Sequence, residues 1–387
     1  MSRLAPRPFY EFFAGGGMAR AGLGEGWRCL FANDFDPRKG EAYRANWGGE
    51  DLTVGDVFGL AAGDLPGRAD LAWASSPCQD FSLAGSRAGL AGGRSSAFWG
   101  FWRLIEALDD EGRAPSVLVL ENVGGLLSAN RGADFTAVAE ALAGRGYRFG
   151  AIALDAASFL PQSRPRVFVV ATRLATDGLT RPGPAPVDGP GVVAAHARLP
   201  AALQARWLWW RLDPPPARNT RLADLLEPDD GVAWRSPAQT AALTAMLSPV
   251  HRARLALAGA DGRRVVAAVF RRIRVEDGRK VQRAELRLDG LAGCLRTPGG
   301  GSSRQLLLVA EGGHIRSRLL TPREGARLMG LADDYRLPPV KTAALHLVGD
   351  GVAVPVVRYL AQQVLEPLLA ATVPDRASTN SERTAAA

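Results

Sequence analysis

Residues 7–37 read RPFYEFFAGGGMARAGLGEGWRCLFANDFDP. An apolar run opens the stretch, and Gly15, Gly16 and Gly17 break it. A second apolar run then ends on Asp34 and Asp36. A strand, a glycine turn and a second strand closing on acids is how a ligand-binding α/β sheet begins. Glycines in that turn let backbone approach a ligand and let the following helix pack closely. The turn can equally be a plain strand-to-helix connection. Arg20 occupies the position where the dinucleotide fingerprint GxGxxG needs its third glycine. Asp34, about twenty residues beyond the glycines, suits a ribose diol. Asp56 in VGDV suits an adenine amino group, so the ligand favoured is of adenosine type.

Working outward, strand-like and helix-like runs alternate. LTVGDVFGL is a short third segment and ADLAWASSP a fourth strand. SAFWGFWRLIEALDDEG has helical spacing, with Phe98, Phe101, Trp102 and Ile105 on one face. SVLVLENV is a buried strand, ADFTAVAEALAGRG a helix, and YRFGAIALDAASF and RPRVFVVATR are two more strands. The expected fold class is α/β: a doubly wound, mostly parallel sheet with a smaller, irregular second domain. The expected domains are 1–172 for catalysis and cofactor binding and 173–339 for the smaller unit. Residues 340–371 are a C-terminal helix returning to the first domain, and 372–387 a disordered tail. The Pro- and Gly-rich DGLTRPGPAPVDGPGVV is read as a linker. Trp207, Trp209 and Trp210 are assigned to the smaller unit.

Formal net charge is +8 and the pI about 10.0. A basic chain favours polyanionic partners such as nucleic acid. Lysine occurs only at Lys39, Lys280 and Lys341, so arginine carries almost all the positive charge; that bias also fits GC-rich coding. Cys29, Cys78 and Cys294 are odd in number and far apart, which excludes a disulfide framework and a CxxC zinc site. The histidines are scattered, and no metal is expected. No apolar run is read as a membrane span and no secretory leader is read at the N-terminus, so the expected location is the cytoplasm.

Ligands of open parallel sheets sit beyond the carboxyl ends of the strands. The fourth strand ends on Pro77-Cys78-Gln79 and the fifth on Glu121-Asn122. A free cysteine is most often a small buried hydrophobe, and Cys29 and Cys294 are read that way. Cys78 instead follows a proline and precedes the polar SLAGSRAGLAGGRSS, whose Arg87 and Arg94 bring positive charge near a thiolate. It is therefore a candidate nucleophile. Glu121 closes an apolar strand, where burial can make a carboxyl group an acid near neutral pH. Alternatively it is a solvated rim residue. In PQSRPRVFVV, Arg164 and Arg166 are two apart and share one strand face, placed to hold an anion or a base carbonyl. In LTPRE, Thr321, Pro322 and Glu324 form a helix start with a capping box.

The set FFAGGGMARAGLG, SSPCQDFS, LENVGGLL, PQSRPRVFVVA, RLLTPRE and GDGVAVP, in this order, resembles the DNA (cytosine-5) methyltransferases of bacterial type. The matches cover roughly residues 9–171 and 291–366. The resemblance implies the S-adenosylmethionine-dependent methyltransferase fold, with S-adenosyl-L-methionine as cofactor and double-stranded DNA as substrate. It implies that Cys78 attacks C6 of a flipped cytosine, Glu121 binds N3, Arg166 binds the base carbonyl and Arg164 supports the site. Phe13, Ala14, Gly15, Gly17, Met18, Asp34, Phe35, Asp56, Val57, Pro77, Asp350 and Val352 fall on cofactor-binding positions. Gln79, Ser82, Arg87, Arg94, Ser302, Ser303 and Arg304 fall on DNA-side positions. The middle unit is implied to read the target sequence. A cognate restriction endonuclease acting separately and a monomeric state complete the expectation.

There are departures. Gly17 is followed by Met18 rather than by another glycine, the family's PPCQ is SPCQ, and its final GN is Gly349-Asp350. Four rivals are weighed. RNA methyltransferases of this fold carry a Cys-Phe-Thr element that is not found. A nicotinamide oxidoreductase leaves Cys78, Glu121 and the arginine pair unexplained. A catalytically dead DNA binder has no need of Cys78 and Glu121. Transfer to an exocyclic amine typically uses an aromatic turn that SSPCQ lacks.

Overall fold

The computed structural model describes residues 5–77, 97–260, 262–276, 278–297 and 304–370. Its first half runs β1 (Arg7–Phe12), α1 (Met18–Leu23), β2 (Trp27–Asp34), α2 (Pro37–Trp47), β3 (Leu52–Val54) and β4 (Leu71–Ala74). There follow α3 (Ala97–Asp110), β5 (Val117–Asn122), α4 (Ala133–Gly144), β6 (Arg148–Asp155) and β7 (Pro165–Thr172). These seven strands form one sheet in the order β3-β2-β1-β4-β5-β7-β6. β1 to β5 pair in parallel, whereas β7 lies antiparallel between β5 and β6. The doubly wound reading of the sequence is correct.

Alternate strand residues feed two cores, one on each face of the sheet. Tyr10, Phe12, Ala72 and Leu118 meet Phe101, Ile105 and Leu108 of α3 on one face. Phe9, Leu71, Trp73, Val117 and Val119 meet the C-terminal helices on the other. Those helices are α9 (Pro322–Leu328), α10 (Lys341–Asp350), α11 (Val354–Leu360) and α12 (Glu366–Ala370), which complete this layer from the far end of the chain. The Lys341–Ala370 run is long and apolar enough by composition to cross a membrane, contrary to the sequence reading. Its Val356, Val357, Leu360, Val364 and Leu368 are spent on the core.

The connection after β7 differs from expectation. It holds β8 (Thr180–Arg181), α5 (Gly189–Arg198), α6 (Ala201–Gln204) and β9 (Trp209–Trp210). Trp207 packs edge-on to Phe135 of α4 and Phe149 of β6. Leu208 N donates to Phe149 O, and a Cβ at Gly150 would lie 1.9 Å from Leu208 O. The tryptophans therefore cover the edge of the large sheet rather than the smaller unit. Local pattern could not show this, because the partner is the opening glycine created at Gly150.

The smaller unit is a four-stranded antiparallel sheet in the order β11-β10-β12-β13: β10 (Val265–Glu276), β11 (Arg279–Arg287), β12 (Leu306–Glu311) and β13 (His314–Leu319). α7 (Pro237–Ala245) and α8 (Pro249–Ala258) cover one face through Leu243, Leu247 and Leu255. Ser236 caps α7 and Ser248 caps α8, each through its hydroxyl. α9 begins with the expected capping box of Thr321 and Glu324.

Candidate active site

The site is assembled on the rim where β1, β2, β4 and β5 end. After β1 the chain turns sharply: Phe13, Gly15 and Gly17 all have positive φ, at 58°, 56° and 76°. Gly16 is held by close approach, since a Cβ there would lie 2.2 Å from the Tyr335 hydroxyl. Tyr335 Oη and Trp47 Nε1 both donate to Gly16 O, at 2.7 and 2.9 Å. Neither residue was found from sequence, because Tyr335 lies 319 positions away.

Asp34 ends β2 and is buried. Its Oδ2 accepts from Gly15 N at 2.7 Å and its Oδ1 from Asp36 N at 2.9 Å. Burial raises its carboxyl pKa above the ordinary value, against the pull of Lys39 and these backbone donors. The acid first shapes the turn, and each oxygen keeps a second lone pair for a diol. Next to it Phe35 is 73% exposed, a large apolar ring without cover. Asp56 caps a short 3-10 turn through Phe58 N. Met18, Val57 and Val352 are buried, so any cofactor contact from them is through backbone or through packing. A Cβ on Gly15 would meet nothing within 4 Å, which leaves open space against the turn. Open backbone at Gly15, a carboxylate at Asp34 and an uncovered ring at Phe35 fit an adenosine-type cofactor.

β4 ends in Ser75, Ser76 and Pro77. Asn122 Nδ2 donates to Ser76 O and Oγ, tying the ends of β4 and β5 together. Cys78 follows Pro77 in the chain, and it lies outside the described residues, as do Gln79, Ser82, Arg87, Arg94, Ser302 and Ser303. Arg304 is described, two residues before β12, and is partly buried. Burial raises the Cys29 thiol pKa to about 12, which removes it as a nucleophile at neutral pH.

Glu121, at the end of β5, is 7% exposed. Arg166 Nε lies 3.0 Å from its Oε1. The antiparallel register sets Glu121 opposite Phe168 and Asn122 opposite Val167, which brings the start of β7 to the end of β5. Arg164, one residue before β7, has other partners. It is 1% exposed, and its guanidinium donates to the carbonyls of Leu295, Gly349 and Gly351.

Lys39 Nζ lies 2.7 Å from Asp350 Oδ2, and Thr297 Oγ1 donates to Asp350 Oδ1 at 2.6 Å. Burial lowers the Lys39 pKa, and Asp350 and Asp34 together outweigh it, so the ammonium ends above its ordinary value. One signal for Lys39 was in the sequence: it is a lysine in a chain that otherwise uses arginine.

Under the glycine turn lies a buried polar group. Glu11 Oε1 accepts from Arg20 N, and Arg20 also reaches Asp51 at 2.6 Å and Tyr43 at 2.7 Å. Burial raises the Glu11 pKa to about 8. Arg20, which broke the dinucleotide fingerprint, is the residue that neutralises this cluster.

The sheet order and the rim acids are those of a methyltransferase-type α/β domain. The C-5 cytosine-specific DNA methylase family matches residues 8–230 and 259–366, and the chain belongs to that family. The chain is 25% identical over 373 residues to the Type II methyltransferase M.HhaI of Haemophilus parahaemolyticus, covering 92% of this chain and 93% of that protein. It is 26% identical over 364 residues to M.NlaX of Neisseria lactamica, covering 93% and 96%. Among solved structures, the Entamoeba histolytica methyltransferase EhMeth aligns with a TM-score of 0.63 at 13% identity, covering 94% and 99% of the two chains. S. pombe Dnmt2 aligns with a TM-score of 0.60 at 18% identity, again covering 94% and 99%. These two likenesses concern the fold.

Proposed function

We propose that this chain transfers a methyl group from S-adenosyl-L-methionine to C5 of a cytosine in a specific duplex DNA sequence. The observation that carries the reading is the Glu121–Arg166 pair, buried at the strand end beside the one that leads into Cys78. Gly15, Asp34, Phe35 and Asp56 would hold the cofactor, which when bound would supply an electrophilic methyl group. The target base leaves the stack, because a thiolate cannot reach C6 inside a duplex. The Cys78 thiolate adds to C6 while Glu121, oriented by Arg166, delivers a proton to N3, which neutralises the charge that develops there and leaves an enamine at C5. The enamine carbon C5 would be the atom that accepts the methyl group. Loss of the C5 proton and of the thiolate restores the aromatic ring and frees Cys78.

The packing supports a division of labour with bounds other than the 172 and 339 expected from the sequence. The described residues of 5–225 and 320–370 belong to the proposed catalytic unit, and those of 229–319 to the proposed reader of the target. Arg304 and the adjoining 302–303, with Gln79, Ser82, Arg87 and Arg94, serve the DNA side. The enzyme acts as a monomer in the cytoplasm, on bacterial DNA, in a restriction-modification or solitary methylation role. Any cognate endonuclease acts separately.

The test is bisulfite sequencing of plasmid DNA from a methylation-free host, with Cys78→Ala as control. Protected cytosines within one short sequence, absent from the control, are expected. Soluble protein with no protected cytosine, together with labelled-methyl transfer to tRNA, overturns the DNA reading.

A further inference from the structure

The small sheet is uneven in length. β12 pairs with β10 only from Val265 to Val269, whereas β10 and β11 stay paired out to Glu276 and Arg279. Beyond Phe270 the two strands stand alone as a ribbon. They leave the sheet at its Gln305 end: Gln305 Nε2 donates to Val269 O, and Gly293 N donates to Gln305 Oε1. The adjoining chain is fixed to the catalytic unit, through Leu295 O on Arg164 and Thr297 on Asp350. The ribbon therefore projects from the end of the small unit that adjoins the candidate active site.

Its two faces differ. Strand alternation puts Arg272, Arg274, Arg283, Glu276 and Glu285 on one face. There Arg272 and Arg274 pair with Glu285, and Arg283 pairs with Glu276. The opposite face carries Ile273, Val275, Lys280 and Gln282, with no carboxylate among its described residues. Ile273 is 66% exposed and Val275 71% exposed. Adjacent β-branched side chains left in water, flanked by a cation and an amide, mark a contact surface.

We infer that this ribbon enters the major groove of duplex DNA, with Ile273, Val275 and Gln282 against base edges and Lys280 on a phosphate. The inference rests on the proposed function and names the element that reads the sequence. A two-stranded ribbon fits the major groove of B-form DNA, about 12 Å wide. It does not fit the deep, narrow major groove of A-form RNA. An amide pairs with adenine and an aliphatic group packs on the thymine methyl, so the recognition sequence contains at least one A·T pair.

The experiment compares wild type with Gln282→Ala, Ile273→Thr/Val275→Thr and Lys280→Ala, each full length. Threonine keeps strand propensity, and all four positions are solvent-facing, so folding is preserved. Bisulfite sequencing reads the target, calorimetry reads S-adenosylmethionine affinity, and a salt titration reads DNA binding. Gln282→Ala is expected to relax one A·T position or to cut site methylation about tenfold or more. The double variant is expected to cut it by a similar factor. Lys280→Ala is expected to lower the salt slope by about one with the target unchanged. Cofactor affinity stays at the wild-type value in all three. Wild-type target, rate and salt slope in every variant overturn the inference while the methyltransferase reading stands. An unmethylated wild type overturns that reading and the inference with it.

Discussion

Lys39 Nζ sits 2.7 Å from Asp350 Oδ2, joining the start of α2 to the end of α10 across 311 residues. Asp350 stands where the methyltransferase pattern ends in a neutral asparagine, so this chain carries an extra negative charge beside the cofactor turn. Lys39 balances it. The pair is partly exposed, and such pairs contribute about 1 kcal/mol at most. Lys39→Met is therefore expected to lower unfolding stability by about 1 kcal/mol at most. Adding Asp350→Asn should recover most of the loss, because it removes the charge left unbalanced. Urea melts of the single and double variants check both statements.

The Glu121–Arg166 pair predicts a separation of binding from chemistry. Glu121→Gln keeps the shape of the side chain and loses its charge. A positioned acid contributes about 10²–10⁴ in rate, and a loss in that range is expected in single-turnover methyl transfer. Arg166→Lys keeps the charge but loses the fixed Nε–H geometry, and should fall between Glu121→Gln and wild type. Cofactor affinity should remain at the wild-type value in both. A matching loss of cofactor binding would show that the pair is a support of the fold alone.

Arg318 and Glu324 are both fully buried and meet through two hydrogen bonds, of 2.7 and 2.6 Å. Glu324 also accepts from Thr321 N and Glu227 N. Removing one partner of a buried pair leaves the other charge unpaired, which costs about 3–5 kcal/mol. Arg318→Met should therefore lower the urea midpoint by several times more than Arg316→Met, whose partner Asp229 is on the surface.

Glu11 gives a pH dependence whose sign is opposite to that of an ordinary paired carboxylate. Its pKa is about 8 in the fold and near 4.5 when the chain is unfolded. Below pH 4.5 both states are protonated and the group is neutral toward stability. Between about pH 4.5 and pH 8 the unfolded chain releases a proton that the fold keeps, so stability falls as pH rises. Glu11→Gln should thus raise Tm more at pH 8 than at pH 5. Parallel melts at the two pH values check it, and an equal shift at both would refute the protonated state.

The sheet was legible because its strands are short, apolar and bounded by glycine, acid or proline. Residues 7–37 alone imply the glycine turn and the acid-ended second strand. The rim residues Gly15, Asp34, Asp56 and Glu121 could be named because they lie at those boundaries. The capping box of Thr321 and Glu324 was legible for the same local reason. What escaped notice depends on distant chain. Tyr335 and Trp47 fix Gly16, Lys39 meets Asp350, and the Trp207–Trp210 run finds its place against Gly150. None of these partners has a period or spacing that marks the other. The spacing of Arg164 and Arg166 did not show that Arg164 would bond distant carbonyls while Arg166 meets Glu121.

The run from Gln162 to Arg166 has a mechanical meaning. Gln162 bonds Leu328 O and Leu295 N, Arg164 bonds three backbone carbonyls, and Arg166 bonds Glu121. This five-residue run thus joins the chemistry, the chain leading to the small sheet and the C-terminal helices. Its contacts on the joined parts are mostly main chain. The carbonyls of Leu295, Gly349 and Gly351 accept these bonds, and a Cβ would meet Arg296 backbone at 2.8 Å on Gly349 and Met18 Sδ at 2.2 Å on Gly351, so the joint tolerates no side chain at either glycine. The reading surface is free to diverge toward new sequences while the joint that aligns it with Glu121 stays fixed.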